Sequence, residues 1–259
     1  MISQETLNPN SAKQSIRRRK LKETVVASDT LDNGAAAPFP AKSNRKKFNA
    51  ILDAAETVFA TSSFSGASMR EIADKAGVAQ ALIHYHFNNK EQLYEEVIAR
   101  RSGEINRLRE LRLTALFENE KTPRLENIVD VLLRPTIEVG HRVENSTNSF
   151  ARILVSTANS SDEFSSKLAE RYYDPIAKQF IAAFEKATPG LDHKNAVWAY
   201  MFAIGVGMTM MAQTGRPQRL SGGLCDDTDI ESMLARVIPF ITAGIRAVTN
   251  ISDPPALAD

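Results

Sequence analysis

The sequence predicts an all-α protein, a small N-terminal helix-turn-helix part followed by a larger bundle of longer helices. Three observations carry this reading. From Asn44 onward, apolar residues recur at three- and four-residue steps, the period of a helix buried along one face. No stretch alternates apolar and polar residues for more than a few positions, so no strands are expected. The periodic runs are punctuated by cap and breaker pairs, Thr122-Pro123, Asp174-Pro175 and Pro189-Gly190.

Composition sets the outer limits. The chain has 259 residues, 43% hydrophobic and 24% charged, which is ordinary for a globular protein with a substantial core. A single cysteine, Cys225, excludes an internal disulfide framework and a cysteine-rich zinc site, and fits a reducing compartment. The first residues, Met1-Ile2-Ser3-Gln4-Glu5, lack the basic-then-apolar pattern of a secretory signal, so a cytoplasmic location is expected. The net charge of +1 hides an asymmetry, because residues 1–47 hold ten Lys/Arg against four acids. A basic end on an otherwise acidic chain marks either a polyanion contact or a solvated tail kept unfolded by its own charge.

The elements follow in order. Residues 1–43 are rich in Ser, Thr, Asn, Ala and Pro without apolar periodicity, and read as a disordered basic arm. Asn44 is placed to cap a helix whose buried face is Phe48, Ile51, Leu52, Ala55, Val58 and Phe59. Ser68 caps a second, short helix through Ala76; Gly77 supplies the left-handed conformation of a steep turn, and Val78 plugs the junction. A third helix, 79–86, packs through Leu82 or Ile83 and Phe87, presenting Gln80, His84 and Tyr85 outward.

Farther on, Pro123 opens a helix whose apolar stripe ends at Pro135, and a short helix surrounds Phe150, Ile153 and Leu154. Helices over 164–173 and 176–187 follow, then two long ones over about 192–214 and 228–248, separated by a polar Gly-rich loop. Residues 195–215 carry no charge and are long enough to span a bilayer. The polar Asn195, Thr209, Gln213 and Thr214, with Gly205 and Gly207, favour burial instead, including burial against a partner subunit.

The segment 68–87 carries the functional signal. Together with Val58-Phe59, Gly66-x-Ser68, Ile72-Ala73, Ala76-Gly77-Val78, Tyr85-x-Phe87 and Lys90-x-x-Leu93, it resembles the tetracycline-repressor (TetR) family of bacterial transcription regulators. That resemblance implies a DNA-binding domain over 45–105 and a regulatory and dimerisation domain over 106–250. It implies a homodimer, paired through the last two helices, on a pseudo-palindromic double-stranded DNA operator. The usual role is a repressor released by a small-molecule inducer; an activator, a ligand-independent regulator and a helical adaptor without DNA binding are the alternatives. Carried over by motif position, Ser68 and Arg70 touch the DNA backbone or adjacent bases, and Gln80 pairs with adenine. His84, Tyr85 and His86 donate to phosphates, and Lys90 adds a charged clamp; His86 has inward packing as its alternative. Ala79 and Ala81 stand where the family often has Ser and Gly, and His84 where it commonly has Tyr. Ala79 still offers a methyl contact to thymine.

No enzyme, cofactor or metal site is expected. His84 and His86 point about 200° apart on a helix and cannot share a metal, and no phosphate loop or catalytic triad spacing occurs. For an inducer, the helix breaks at Pro135 and Asp174-Pro175 leave room for a cavity lined by Phe150, Leu154 and Tyr172, with Arg152 and His141 as its polar groups. Such a cavity suits an amphipathic or aromatic ligand; a filled core is the competing reading. For the dimer, Ile230, Leu234, Val237, Ile238, Ile241, Ile245 and Val248 form a stripe that pairs with the preceding helix across a two-fold axis.

Overall fold

The computed structural model describes residues 42–141, 149–158, 160–249 and 251, with the side chains at 42, 43, 140 and 141 excepted. The basic arm therefore lies outside the described residues up to position 41, as does the side chain of His141. Eleven helices and no strand are found among the described residues.

Helix α1 (Lys42–Gly66) begins two residues ahead of Asn44, so Asn44 is an interior residue and not the cap. Arg45, Lys46 and Lys47 are thus exposed residues of its first turns. It breaks at Ser63, whose left-handed φ of 58° turns the chain toward the next element. In α2 (Met69–Ala76), Ser68 caps as expected, its hydroxyl accepting from the Glu71 amide at 3.1 Å. Gly77 closes the helix at φ 65°, and its amide and that of Val78 return to the Asp74 and Ala73 carbonyls. Ala79 is the N-cap of α3 (Gln80–His86), which starts one residue later than the periodicity placed it. Helix α4 (Lys90–Asn119) opens on a reciprocal cap: Asn89 accepts from the Gln92 amide, and the Gln92 side chain accepts from the Asn88 amide. Its thirty residues make it about 45 Å long.

The remaining helices are α5 (Leu125–His141), α6 (Ser149–Ala158), α7 (Glu163–Tyr172), α8 (Asp174–Ala187), α9 (His193–Met211), α10 (Arg216–Leu220) and α11 (Ile230–Val248). Two expectations are corrected. Helix α5 runs through Pro135 instead of ending there, and the Gly-rich loop contains a short helix, α10. No helix among the described residues is long and apolar enough to cross a membrane.

Two hydrophobic cores result. The first joins Ile51, Val58, Ile72 and Ile83 of the first three helices, with Phe87 just past α3, to Leu93, Val97 and Ile98 of α4, and also to Phe150, Ile153, Leu154, Leu168 and Met211. The second gathers Ile128, Leu132, Phe180, Phe184, Ala203, Leu234 and Ile241. A Cβ on Gly207 would lie 2.9 Å from Leu133 Cδ2, so the missing side chain sets how closely α9 approaches α5.

Leu234, Val237, Ile241 and Ile245 are buried within the subunit, which corrects their assignment to a dimer contact. The face that α9 leaves in solvent is a different one: Trp198 is 53% exposed and Phe202 56%, stacked at 5.8 Å, with Met201 beside them. On α11 the exposed residues include Phe240, Ala243, Gly244 and Ala247, together with Arg236 and Arg246.

Candidate nucleic-acid interface

Helix α3 is short and depends on its anchors. Ile83 and Phe87 are buried and Leu82 is half-buried, which leaves Gln80, Ala81, His84 and Tyr85 outside. Tyr85 is 76% exposed, an unusual position for an aromatic ring, and meets the His86 ring edge-on at 5.1 Å. Gln80 Nε2 and His84 Nε2 lie 3.4 Å apart, one helical turn from each other. Ala79, Ser68 and Arg70 are exposed as well, Ser68 at the start of α2 and Ala79 at the start of α3. The structure therefore brings Ser68, Arg70, Ala79, Gln80, Ala81, His84 and Tyr85 to the surface of one helix-turn-helix.

His86 and Lys90 are placed otherwise. The His86 ring is half-buried, edge-on to Phe48 at 5.4 Å, and its Nε2 is enclosed without a hydrogen-bond partner. Its position is two residues from His84, so the side chain points to the opposite side of α3, toward α1. This corrects its assignment to phosphate. Lys90 reaches back instead of outward: its ammonium donates to the Ala67 and Ser65 carbonyls at 3.1 and 3.4 Å and sits 4.7 Å from the Phe64 ring centroid. Those carbonyls follow the Ser63 break, where the helix ladder no longer satisfies them, and a lysine is the donor that can.

A buried carboxylate that periodicity did not mark ties this unit together. Glu56 is 2% exposed on α1 and accepts from Arg101 Nε at 2.8 Å and Arg100 Nη2 at 3.0 Å, both on α4. Farther along, the Tyr94 and Thr157 hydroxyls lie 2.8 Å apart, while Arg171 and Tyr172 donate to Glu95 at 2.7 and 2.9 Å. These contacts fasten α4 to α6 and α7. Burial and the Glu95 carboxylate push the Tyr172 hydroxyl up to about 12.

Comparison with known proteins gives the same architecture. Residues 51–97 match the family described as bacterial regulatory proteins, tetR family, and residues 130–244 match the tetracyclin repressor-like C-terminal domain. The chain belongs to the TetR family. Among curated relatives, the repressor KstR2 of Mycolicibacterium smegmatis is 40% identical over 48 residues, 18% of this chain and 23% of that protein. The regulator AcrR of Shigella flexneri is 33% identical over 87 residues, 34% of this chain and 40% of that one. The chain thus spans under half the length of these relatives. In solved structures, the fatty acid degradation regulator FadR from Bacillus halodurans superposes with a TM-score of 0.57 at 17% identity, covering 82% of this chain and 99% of that one. The regulator FadR from Bacillus subtilis, solved in complex with stearoyl-CoA, gives 0.56 at 17% identity over 76% and 98%. At that identity the likeness is one of fold. The assignment makes the chain a transcriptional regulator and not an enzyme.

In this TetR-family chain, four of the residues expected to line an inducer cavity are placed otherwise, while the His141 side chain lies outside the described residues. Phe150 and Leu154 are filled into the first core, Tyr172 is half-buried on Glu95, and Arg152 is exposed. The apolar run 150–155 fixed a buried face, and Arg152 falls on the other side of α6. A cavity of about 950 Å³ lies elsewhere, between the end of α9, α10 and α11, walled by Val155, Met208, Leu220, Met233 and Phe240. No group of His, Cys, Asp and Glu among the described residues could hold a metal ion.

Proposed function

We propose that this chain is a homodimeric repressor that holds a palindromic operator through two copies of α3 and releases it when a small hydrophobic or amphipathic ligand binds the regulatory helices. The observation that carries the DNA reading is α3 itself. A seven-residue helix is pinned by Ile83 and Phe87 while Gln80, His84 and Tyr85 stand in solvent. Gln80 is suited to pair with adenine in the major groove, and His84, Tyr85 and Arg70 to hold phosphates. Two such helices read half-sites one helical turn, about 34 Å, apart only if the subunits pair. The exposed apolar residues Trp198, Met201 and Phe202 of α9 and Phe240 of α11 support that pairing as a four-helix bundle. The stearoyl-CoA held by the Bacillus subtilis neighbour supports an apolar ligand body. An operator on chromosomal DNA puts the protein in the cytoplasm.

The test is a gel shift on the DNA upstream of the protein's own gene, with unlabelled specific and unrelated competitors. A shift removed only by specific DNA, from a particle that sediments as a dimer, is expected. Equal competition by both DNAs, or a monomer at the binding concentration, overturns the reading.

A further inference from the structure

The second core encloses a cation that has no anion. Arg109, on α4, is 4% exposed, yet among the described residues no carboxylate pairs with it. Its partners are all neutral: Nε donates to the Leu132 carbonyl at 2.9 Å, Nη2 to the Thr136 hydroxyl at 2.7 Å, and Nη1 to Asn106 Oδ1 at a long 3.4 Å. A guanidinium carries five N–H donors, so two remain without an acceptor. Among the described residues, the titratable groups close enough to interact with its charge are two tyrosines, Tyr173 and Tyr200. The Tyr173 hydroxyl is itself enclosed and has no hydrogen-bond partner among those residues. Burial pushes that hydroxyl well above the ordinary phenol range, so it stays a proton donor. Elsewhere in the chain arginines with buried or half-buried surroundings are paired, Arg100 and Arg101 with Glu56 and Arg112 with Glu138. Leaving a charge buried and unpaired is costly, and burial alone works against the charged form here.

We propose that Arg109 and Tyr173 form the anion end of a ligand seat in the regulatory helices, and that the ligand is a carboxylate with an apolar body. The proposal rests on the ligand reading above and adds to it a chemical class and a place. Two spare N–H groups match the two oxygens of one carboxylate, and the single negative charge cancels the single positive one. The Tyr173 hydroxyl adds a third donor to the same anion. The surrounding core, with Leu132 and Tyr200 buried, offers nothing to solvate a second charge, which disfavours a phosphate dianion. The seat is closed in this structure, and none of the hydrogen-bond partners of Arg109, nor Tyr173 or Tyr200, belongs to the walls of the 950 Å³ cavity. Entry needs α5 to yield. It is built to, because Pro135 leaves the Val131 carbonyl without its helical donor, and the Leu132 carbonyl is shared with Arg109.

The experiment compares decanoate with methyl decanoate on the full chain, reading melting midpoint, calorimetric affinity and operator release. Wild type is expected to bind the acid at least tenfold tighter than the ester. Arg109→Gln should bring the acid down to the affinity of the ester, Arg109→Lys should keep part of the difference, and Tyr173→Phe should lose severalfold. Equal binding of acid and ester by the wild type overturns the proposal while leaving the ligand reading intact, and it needs no variant. The proposal falls equally if Arg109→Gln, folded by circular dichroism, keeps full decanoate affinity, or if Met233→Trp in the separate cavity abolishes the response and Arg109→Gln does not. Operator binding that ignores decanoate, palmitate and their esters alike overturns both.

Discussion

Removing the Glu56 carboxylate should loosen the seat of the DNA-binding helices on α4. Glu56 is 2% exposed, while its partners Arg100 and Arg101 keep 26% and 16% of their side-chain surface. Breaking a buried ion pair from one side costs about 3–5 kcal/mol, because the remaining charge is stranded. Both arginines can turn partly toward water here, and Arg100 still holds Asp53 at 2.8 Å, so Glu56→Ala belongs at the low end, about 3 kcal/mol. For a chain of this size each kcal/mol lowers the melting midpoint by roughly 2–4 °C, giving a drop of about 6–12 °C. Glu56→Gln keeps the shape and an acceptor oxygen and should lose about half as much. The assay is thermal unfolding followed by circular dichroism for Glu56→Ala, Arg101→Ala and the double variant. A coupling of at least about 1 kcal/mol is expected between them, as for residues in one network. Additivity within about 0.5 kcal/mol would refute the reasoning, since it would mean that carboxylate and guanidinium contribute independently.

Other outcomes follow from the same geometry. Gln80→Ala should cost about 1–3 kcal/mol of operator affinity and relax preference at one position per half-site, measured by binding to single-base operator variants; unchanged affinity removes its base-reading role. Lys90→Ala should destabilise the turn after Ser63, speeding amide exchange at Ala67 and Ser68, and leave the salt dependence of DNA binding unchanged. A salt slope reduced by about one unit would instead give Lys90 back to phosphate. Trp198→Arg with Phe202→Glu should yield folded monomers that lose the operator, where sedimentation as a dimer would point to another contact face. Asp162 caps α7, accepting from the Ser160 hydroxyl and from the Ser165 amide and hydroxyl, which hold its carboxyl down at about 2. A carboxyl depressed in the folded state contributes stability above its unfolded value near 4 and loses it as the pH falls toward 2. Asp162→Ala should therefore melt below wild type at pH 7, with the gap closing between about pH 4 and 2; a gap independent of pH excludes the carboxylate as its source.

The helix-turn-helix was legible because its signals are local. Ser68, Gly77 and the spacing of Ile72, Ala73 and Ile83 fix caps, turn and buried face within one short segment. What the sequence hid was set by distant neighbours. His86 turns inward because Phe48, far back on α1, supplies a ring to pack on, and Lys90 is drawn to carbonyls freed by a break at Ser63. The stripe of Leu234 and Ile241 correctly read as buried, but periodicity says nothing about which surface does the burying, and α5 of the same subunit does. Arg152 and Arg109 exchange places for a similar reason. Arg152 sits in an apolar run yet faces water, whereas Arg109 sits among Arg107, Glu110 and Arg112, a pattern that reads as a solvated face. Only the fold of α5 over α4 shows otherwise.

The first hydrophobic core has a practical consequence for anyone recombining such proteins. It takes Ile51, Ile72 and Ile83 from the first three helices, but also Phe150, Ile153 and Leu154 from α6, Leu168 from α7 and Met211 from the end of α9. A cut at residue 105 would strip cover from Val97, Ile98 and Ile105 and detach the Tyr94–Thr157 and Glu95–Arg171 links. The DNA-reading head is therefore not a cassette. Grafting it onto a foreign sensor requires α6, α7 and the end of α9 to travel with it, and a fragment ending at 105 should expose enough apolar surface to aggregate.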